Sequence, residues 1–127
     1  VDNNLGTNVI VNPNGILGAY GNRNYIPTVH LNGGRLAHCG PGGTNIINWG
    51  GPVYVDTESV IDFTVNGIFG AGNVRIGGQL FGVSGLALTD GGILELTNDS
   101  SSTFSGPITV DSGTTLRMQG EGRPGSG

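Results

Sequence analysis

A short apolar strand, a Gly/Asn/Asp turn and a second strand recur along this chain, and the recurrence limits the fold more than any other feature. Six copies read directly: Val9 to Leu17, Val29 to Leu36, Val53 to Ile61, Val74 to Leu80, Leu86 to Leu94 and Ile108 to Leu116. The last apolar residues of their first strands are Val11, Leu31, Val55, Ile76, Leu88 and Val110, spaced 20, 24, 21, 12 and 22 residues apart. A period of 20–24 residues holds two or three strands of 3–5 residues with their turns, which is one coil of a parallel β-helix. The interval of 12 is either a shortened rung or a second strand on the same rung, and both stay open at this level.

Strand side chains alternate, so Val9, Val11, Val53, Val55, Leu86, Leu88, Ile108 and Val110 are expected inside, and Ile10, Tyr54, Ala87 and Thr109 outside. The 13 asparagines suit the corners, where they bond the local backbone or stack in ladders along the coil axis. No window keeps i, i+3, i+4, i+7 apolar spacing without Gly or Pro inside it, which excludes a helical protein. The expected fold is therefore all-β, a single β-solenoid domain over 1–127 of about five to six short coils. The competing fold is an antiparallel β-sandwich, because Asn-Gly and Gly-Gly pairs also signal hairpins.

Composition narrows the function classes. Gly contributes 26 of 127 residues, yet there is no G-X-Y triplet and Pro is only 6, so the chain is not collagenous. Lysine is absent and the net charge is −4, which leaves no basic footprint for nucleic acid or anionic lipid. No stretch approaches the roughly 20 apolar residues that cross a bilayer as a helix. A polar surface of Asn, Thr, Ser and Gly points to a secreted, extracellular or cell-surface setting. The single Cys39 cannot close an intramolecular disulfide; it is a small buried hydrophobe, an intermolecular bridge or a reactive thiol.

Gly91-Gly92-Ile93-Leu94-Glu95-Leu96, followed by Phe104-Ser105-Gly106, Ile108-Thr109-Val110 and Gly113-Thr114-Thr115-Leu116, resembles the autotransporter-associated β-strand repeat. The matching positions are Phe104, Gly106, Val110, Gly113 and Leu116, within residues 91–116. The resemblance implies a right-handed parallel β-helix on the exported passenger of a surface protein. Family members carry many copies with an N-terminal signal and a C-terminal membrane barrel; neither of these two features occurs here, so the resemblance speaks to fold and export rather than to activity.

Side chains able to do chemistry are few and scattered. His30, His38 and Cys39 come closest to a metal set, but His30 and His38 are eight apart and no fourth ligand is evident, so neither metal nor cofactor is expected. The calcium-solenoid nonapeptide is absent. Asp56, Glu58 and Asp62 form the densest acidic group, and Arg35 and Arg75 read as isolated basic residues. Together they are expected to be solvated surface, and the chain is expected not to be an enzyme. Trp49 and Tyr54, near Gly50-Gly51, are candidates for stacking on a sugar ring. Asn98-Asp99-Ser100 fits a glycosylation sequon, and Ser100, Ser101, Ser102 and Thr103 form a run suited to O-linked sugars.

No capping helix is legible at 1–8 or 119–127, which read as flexible or subunit-linking ends, whereas free-standing solenoids cover their end coils. The expected role is a structural subunit that stacks end to end with copies of itself into a surface filament. Two alternatives stand beside it: a fragment of a larger autotransporter-like adhesin passenger, and a carbohydrate-binding or carbohydrate-active module contacting surface glycans.

Overall fold

The computed structural model describes residues 6–19, 23–38, 46–63, 73–100 and 102–118, together with the backbone of 123–124. Coil one comprises β1 (Asn8–Val11), β2 (Ile16–Ala19) and β3 (Arg23–Tyr25). Coil two comprises β4 (Thr28–Asn32), β5 (Arg35–His38) and β6 (Ile46–Trp49), and coil three β7 (Val53–Thr57), β8 (Ser59–Asp62) and β9 (Asn73–Ile76). Coil four comprises β10 (Leu80–Gly82), β11 (Leu86–Thr89) and β12 (Ile93–Leu96). A partial fifth coil holds β13 (Asp99–Ser100), β14 (Ile108–Val110) and β15 (Thr115–Met118), and β16 (Arg123–Pro124) follows.

Every strand pairing is parallel, so the chain is a β-solenoid and the antiparallel sandwich is excluded. Face A stacks β1-β4-β7-β10, face B β2-β5-β8-β11-β14, and face C β3-β6-β9-β12-β15. Coil count falls slightly below expectation, because each complete coil spends three strands. The six strand-turn-strand units lie at three different corners: the first three join faces A and B, Val74 to Leu80 joins C to A, and the last two join B to C. The interval of 12 is thereby explained, for Ile76 lies on face C of coil three and Leu88 on face B of coil four. The two residues thus sit on different strands within the length of a single turn, which is the second of the two explanations left open, and the rung is not shortened.

In-register parallel pairing turns alternation along each strand into columns along the axis. On face C the inward column is Trp49, Ile76, Leu96 and Met118, and on face B it is Leu17, Leu36, Ile61, Leu88 and Val110. One apolar cluster draws on all three faces, and each fully buried aliphatic side chain contributes roughly 1.5–3 kcal/mol. Val11, Val53, Val55, Leu86 and Leu88 are buried as expected, with Val9 and Ile108 packed against them. Val110 is half exposed, since among the described residues no strand follows β14 on its sheet. Ile10 points outward and is 60% exposed.

Corners are tight where backbones nearly touch. A Cβ on Gly78 would lie 2.0 Å from the Gly51 carbonyl oxygen one coil above, so only glycine fits there. Asn14 and Asp90 take left-handed conformations at φ 68° and 71°, the role for which Asn and Asp are best suited after glycine. The two ends expected to be irregular are partly built into the solenoid. Asn8 begins β1 and pairs with Thr28, and β16 pairs with β13. Residues 1–5, 119–122 and 125–127 lie outside the described residues.

Candidate functional site

Parallel strands lie about 4.8 Å apart, which is also the distance at which flat side chains stack and short amides bond. The solenoid exploits the coincidence on each face. On the outside of face A, His30, Tyr54 and Phe81 form a continuous stack, with ring centroids 4.7 and 4.6 Å apart and planes within 14° of parallel. Both faces of the Tyr54 ring are covered by its neighbours. His30 Nδ1 also meets Asp56 Oδ2 at 2.9 Å.

At the corner after face A, Asn32 Nδ2 donates to Asn12 Oδ1 at 3.1 Å and Thr57 Oγ1 donates to Asn32 Oδ1 at 3.3 Å. On face C, Asn48 Nδ2 donates to Asn24 Oδ1 at 3.1 Å. The same outward column continues through Arg75, Glu95 and Arg117. There Arg75 Nε donates to Glu95 Oε1 at 2.5 Å, and Arg117 Nη1 lies 3.6 Å from Glu95 Oε2. Glu95 is almost fully covered by these two guanidinium groups. Burying a carboxylate is costly unless it is paired, and here it is paired from above and below.

The acidic group read from the sequence does not assemble. Asp56 joins His30 on face A, whereas Asp62 is buried on face B and accepts from Arg35 Nη1 at 2.5 Å. Asp62 is therefore not solvated surface, and Arg35 and Arg75 are not isolated. Glu58 borders a shallow open groove with Val60, Ala87 and Pro107. Asp90 follows Thr89, the register partner of Asp62, and its pKa is raised by the neighbouring Asp62 carboxyl and by burial, against a partial lowering by Thr89 and Arg35.

Trp49 and Tyr54 are not brought together. Trp49 is 1% exposed in the interior of face C, stacked on Tyr25 at 4.8 Å, while Tyr54 faces outward on face A. His38 is fully buried on face B, neither ring nitrogen has a hydrogen-bond partner among the described residues, and burial lowers its pKa. It is thus on a different face from His30, and Cys39 lies outside the described residues. Among the described residues no three His, Cys, Asp or Glu side chains stand close enough to hold a metal ion.

Asn98 is exposed at a corner, where its Nδ2 lies 3.5 Å from the Gly77 oxygen. The other sequon residue, Ser100, is buried, and its Oγ accepts from Leu80 N at 2.9 Å. Thr103 Oγ1 donates to Leu80 O at 2.7 Å and Ser102 is exposed, whereas Ser101 lies outside the described residues. Ser100 and Thr103 therefore satisfy the two backbone groups of Leu80, a structural use of the serine-rich run that the sequence alone did not reveal.

The ion-pair and ring ladders were invisible in the sequence because their members are separated by 20–27 residues. Aligning the strands at Val74, Leu94 and Leu116 would have exposed the charged column directly. Compared with known protein families, characterised proteins and solved structures, the chain matches none.

Proposed function

We propose that this chain is a non-catalytic structural β-solenoid of a secreted or cell-surface protein, built to extend by axial stacking of further coils. The carrying observation is the direction in which its outward side chains bond. His30, Tyr54 and Phe81, Asn12, Asn32 and Thr57, and Arg75, Glu95 and Arg117 all engage the coil above or below. Such a surface is organised for continuation along the axis. The lysine-free, Asn/Thr/Ser-rich composition favours the extracellular setting.

Within this reading, a second copy supplies the next coil and the product is a homopolymeric filament. Among the described residues, β14 and β15 each have one strand neighbour, as do β1, β2 and β3. Val110 and Met118 remain 41% and 52% exposed on the fifth coil, apolar surface that a further coil would cover. Head-to-tail docking sets Met118 against Tyr25 of the next copy, a favourable sulfur–aromatic pairing. It also sets Leu116 against Arg23, which occupies the register column of Ile47, Val74, Leu94 and Leu116. An inward-facing charge at a strand edge is a device against pairing, so Arg23 is the chief resistance to this joint.

If the next coil comes instead from the same polypeptide, the chain is part of a longer solenoid, as the autotransporter-like pattern of residues 91–116 suggests. Negative-stain microscopy and sedimentation of the purified chain across concentration separate the two. Fibres whose mass grows with concentration support the homopolymer, and discrete monomers at the highest concentration overturn it. The carbohydrate-binding reading is the less favoured, because Trp49 is buried and both faces of the Tyr54 ring are occupied by His30 and Phe81; glycan-array binding by the parent chain would revive it.

A further inference from the structure

Asparagine is followed by glycine at Asn14-Gly15, Asn32-Gly33 and Asn66-Gly67, the last outside the described residues. The dipeptide is chemically labile, because glycine has no side chain to keep its own backbone nitrogen away from the preceding carboxamide. Asn14 and Asn32 occupy equivalent corners, between faces A and B of coils one and two. Local sequence makes them alike; the solenoid separates them.

At Asn32 both ends of the carboxamide are engaged. Its Nδ2 donates to Asn12 Oδ1 at 3.1 Å, and its Oδ1 accepts from Thr57 Oγ1 at 3.3 Å. The Gly33 N–H donates to Ser59 Oγ at 3.0 Å, and Pro13 lies over Gly33, its Cγ 3.1 Å from where a Cβ would stand. The electrophilic carbon and the nitrogen that would attack it are thus pinned by the coils on either side. Asn14 is exposed, takes a left-handed conformation at φ 68°, and its carboxamide makes no hydrogen bond among the described residues. The Gly15 N–H is held within its own turn, by Asn12 O at 2.8 Å. That turn joins β1 to β2, the outermost strands of their sheets among the described residues.

We propose that Asn14 is a site of spontaneous deamidation, and that the ladder between coils protects Asn32 from the same reaction. When the turn opens, the Gly15 nitrogen attacks Cγ of Asn14. A new N–C bond closes a cyclic imide, the bond from Cγ to the amide nitrogen breaks, and that nitrogen takes the Gly15 proton and leaves as ammonia. Water then adds to the imide and opens it to aspartate or, through the other carbonyl, to isoaspartate. Either product carries one more negative charge than the parent. Aspartate suits the corner, since Asp90 holds φ 71° at another corner of the chain. Isoaspartate adds a backbone methylene between β1 and β2 and so loosens the outermost corner. At Asn32 the same opening breaks three inter-coil hydrogen bonds, so its rate is expected to be at least about tenfold lower.

The test is peptide mass spectrometry of the folded chain incubated at pH 8.5, with a guanidinium-unfolded sample beside it. Cleavage after Arg23 and Arg35 puts the two asparagines on separate peptides, and fragmentation assigns the mass gain to a residue. The expected result is loss of Asn14 first in the folded chain, with Asn32 at least about tenfold slower, and comparable rates for the two in guanidinium. Thr57→Val combined with Ser59→Ala, checked as folded by circular dichroism, removes two of the three bonds and should bring the Asn32 rate toward that of Asn14. Equal rates at the two positions in the folded chain, an Asn14 that survives while the unfolded chain reacts, the same preference for Asn14 in guanidinium, or a ratio unmoved in the folded double variant would each overturn the proposal.

Discussion

The rings of His30 and Tyr54, 24 residues apart in the chain, lie 4.7 Å apart and 9° from parallel, and Phe81 repeats the relationship beneath them. The spacing is imposed by the backbone: parallel strands in register leave no other distance for identical positions on adjacent coils. Outer aromatic residues thus serve cohesion between coils, and both faces of the Tyr54 ring are taken up by its neighbours.

Removing the middle ring should be costly although Tyr54 is on the surface. Tyr54→Ala breaks two stacked contacts, each worth about 0.5–1.5 kcal/mol beyond area burial, and is expected to lower unfolding free energy by about 1–3 kcal/mol. Chemical denaturation measures this against Thr109→Ala, an exposed outward position expected to stay within about 0.5 kcal/mol of the parent. Equal effects at the two sites would remove the ladder as a source of stability.

Glycine at the corners falls into two kinds. Gly78→Ala puts a methyl group 2.0 Å from a backbone oxygen that cannot move alone, and should abolish or severely weaken folding. Gly113 has φ 82° and open space around it, so Gly113→Ala should cost only about 1 kcal/mol of backbone strain. Circular dichroism melts of both variants check the contrast, which fails if the two behave alike.

His38 predicts a loss of stability in mild acid. Burial lowers its folded pKa below the ordinary 6.5, so its contribution to stability is complete above 6.5 and is lost as pH falls toward the folded value. The wild-type melting temperature should therefore drop between pH 7 and pH 5.5 more steeply than that of His38→Leu. Parallel curves for the two proteins would assign the acid sensitivity elsewhere.

Arg23 is the position at which homopolymer assembly can be tuned. Arg23→Leu extends the apolar column of Ile47, Val74, Leu94 and Leu116 to the outermost coil. Sedimentation should show a larger assembled fraction at equal concentration. An unchanged monomer would count against head-to-tail docking at this surface.

Much of the architecture could be read from residues alone, because alternation and corner chemistry are local properties. Val53, Val55, Leu86 and Leu88 point inward and Ile10 and Tyr54 outward, as period-two patterning requires. The face of each strand was harder, since all three faces use the same strand-turn-strand grammar; hence Ile76 and Leu88 looked like successive rungs of one sheet. Trp49 illustrates the same difficulty at a site. Its neighbours Asn48 and Gly50 suggest surface, but it shares parity with Ile47 in β6, and that parity places it in the core. Pairings such as Arg35 with Asp62 depend on register between coils, which local pattern does not encode.

The corner between faces B and C varies from coil to coil while the columns stay aligned. Three residues separate β2 from β3, seven separate β5 from β6, ten separate β8 from β9, three separate β11 from β12 and four separate β14 from β15. Register on either side is preserved through all of these lengths. The scaffold has in effect decoupled its repeat from a fixed residue count, so a corner such as this one can gain or lose sequence, or accept a grafted loop, without disturbing the spine.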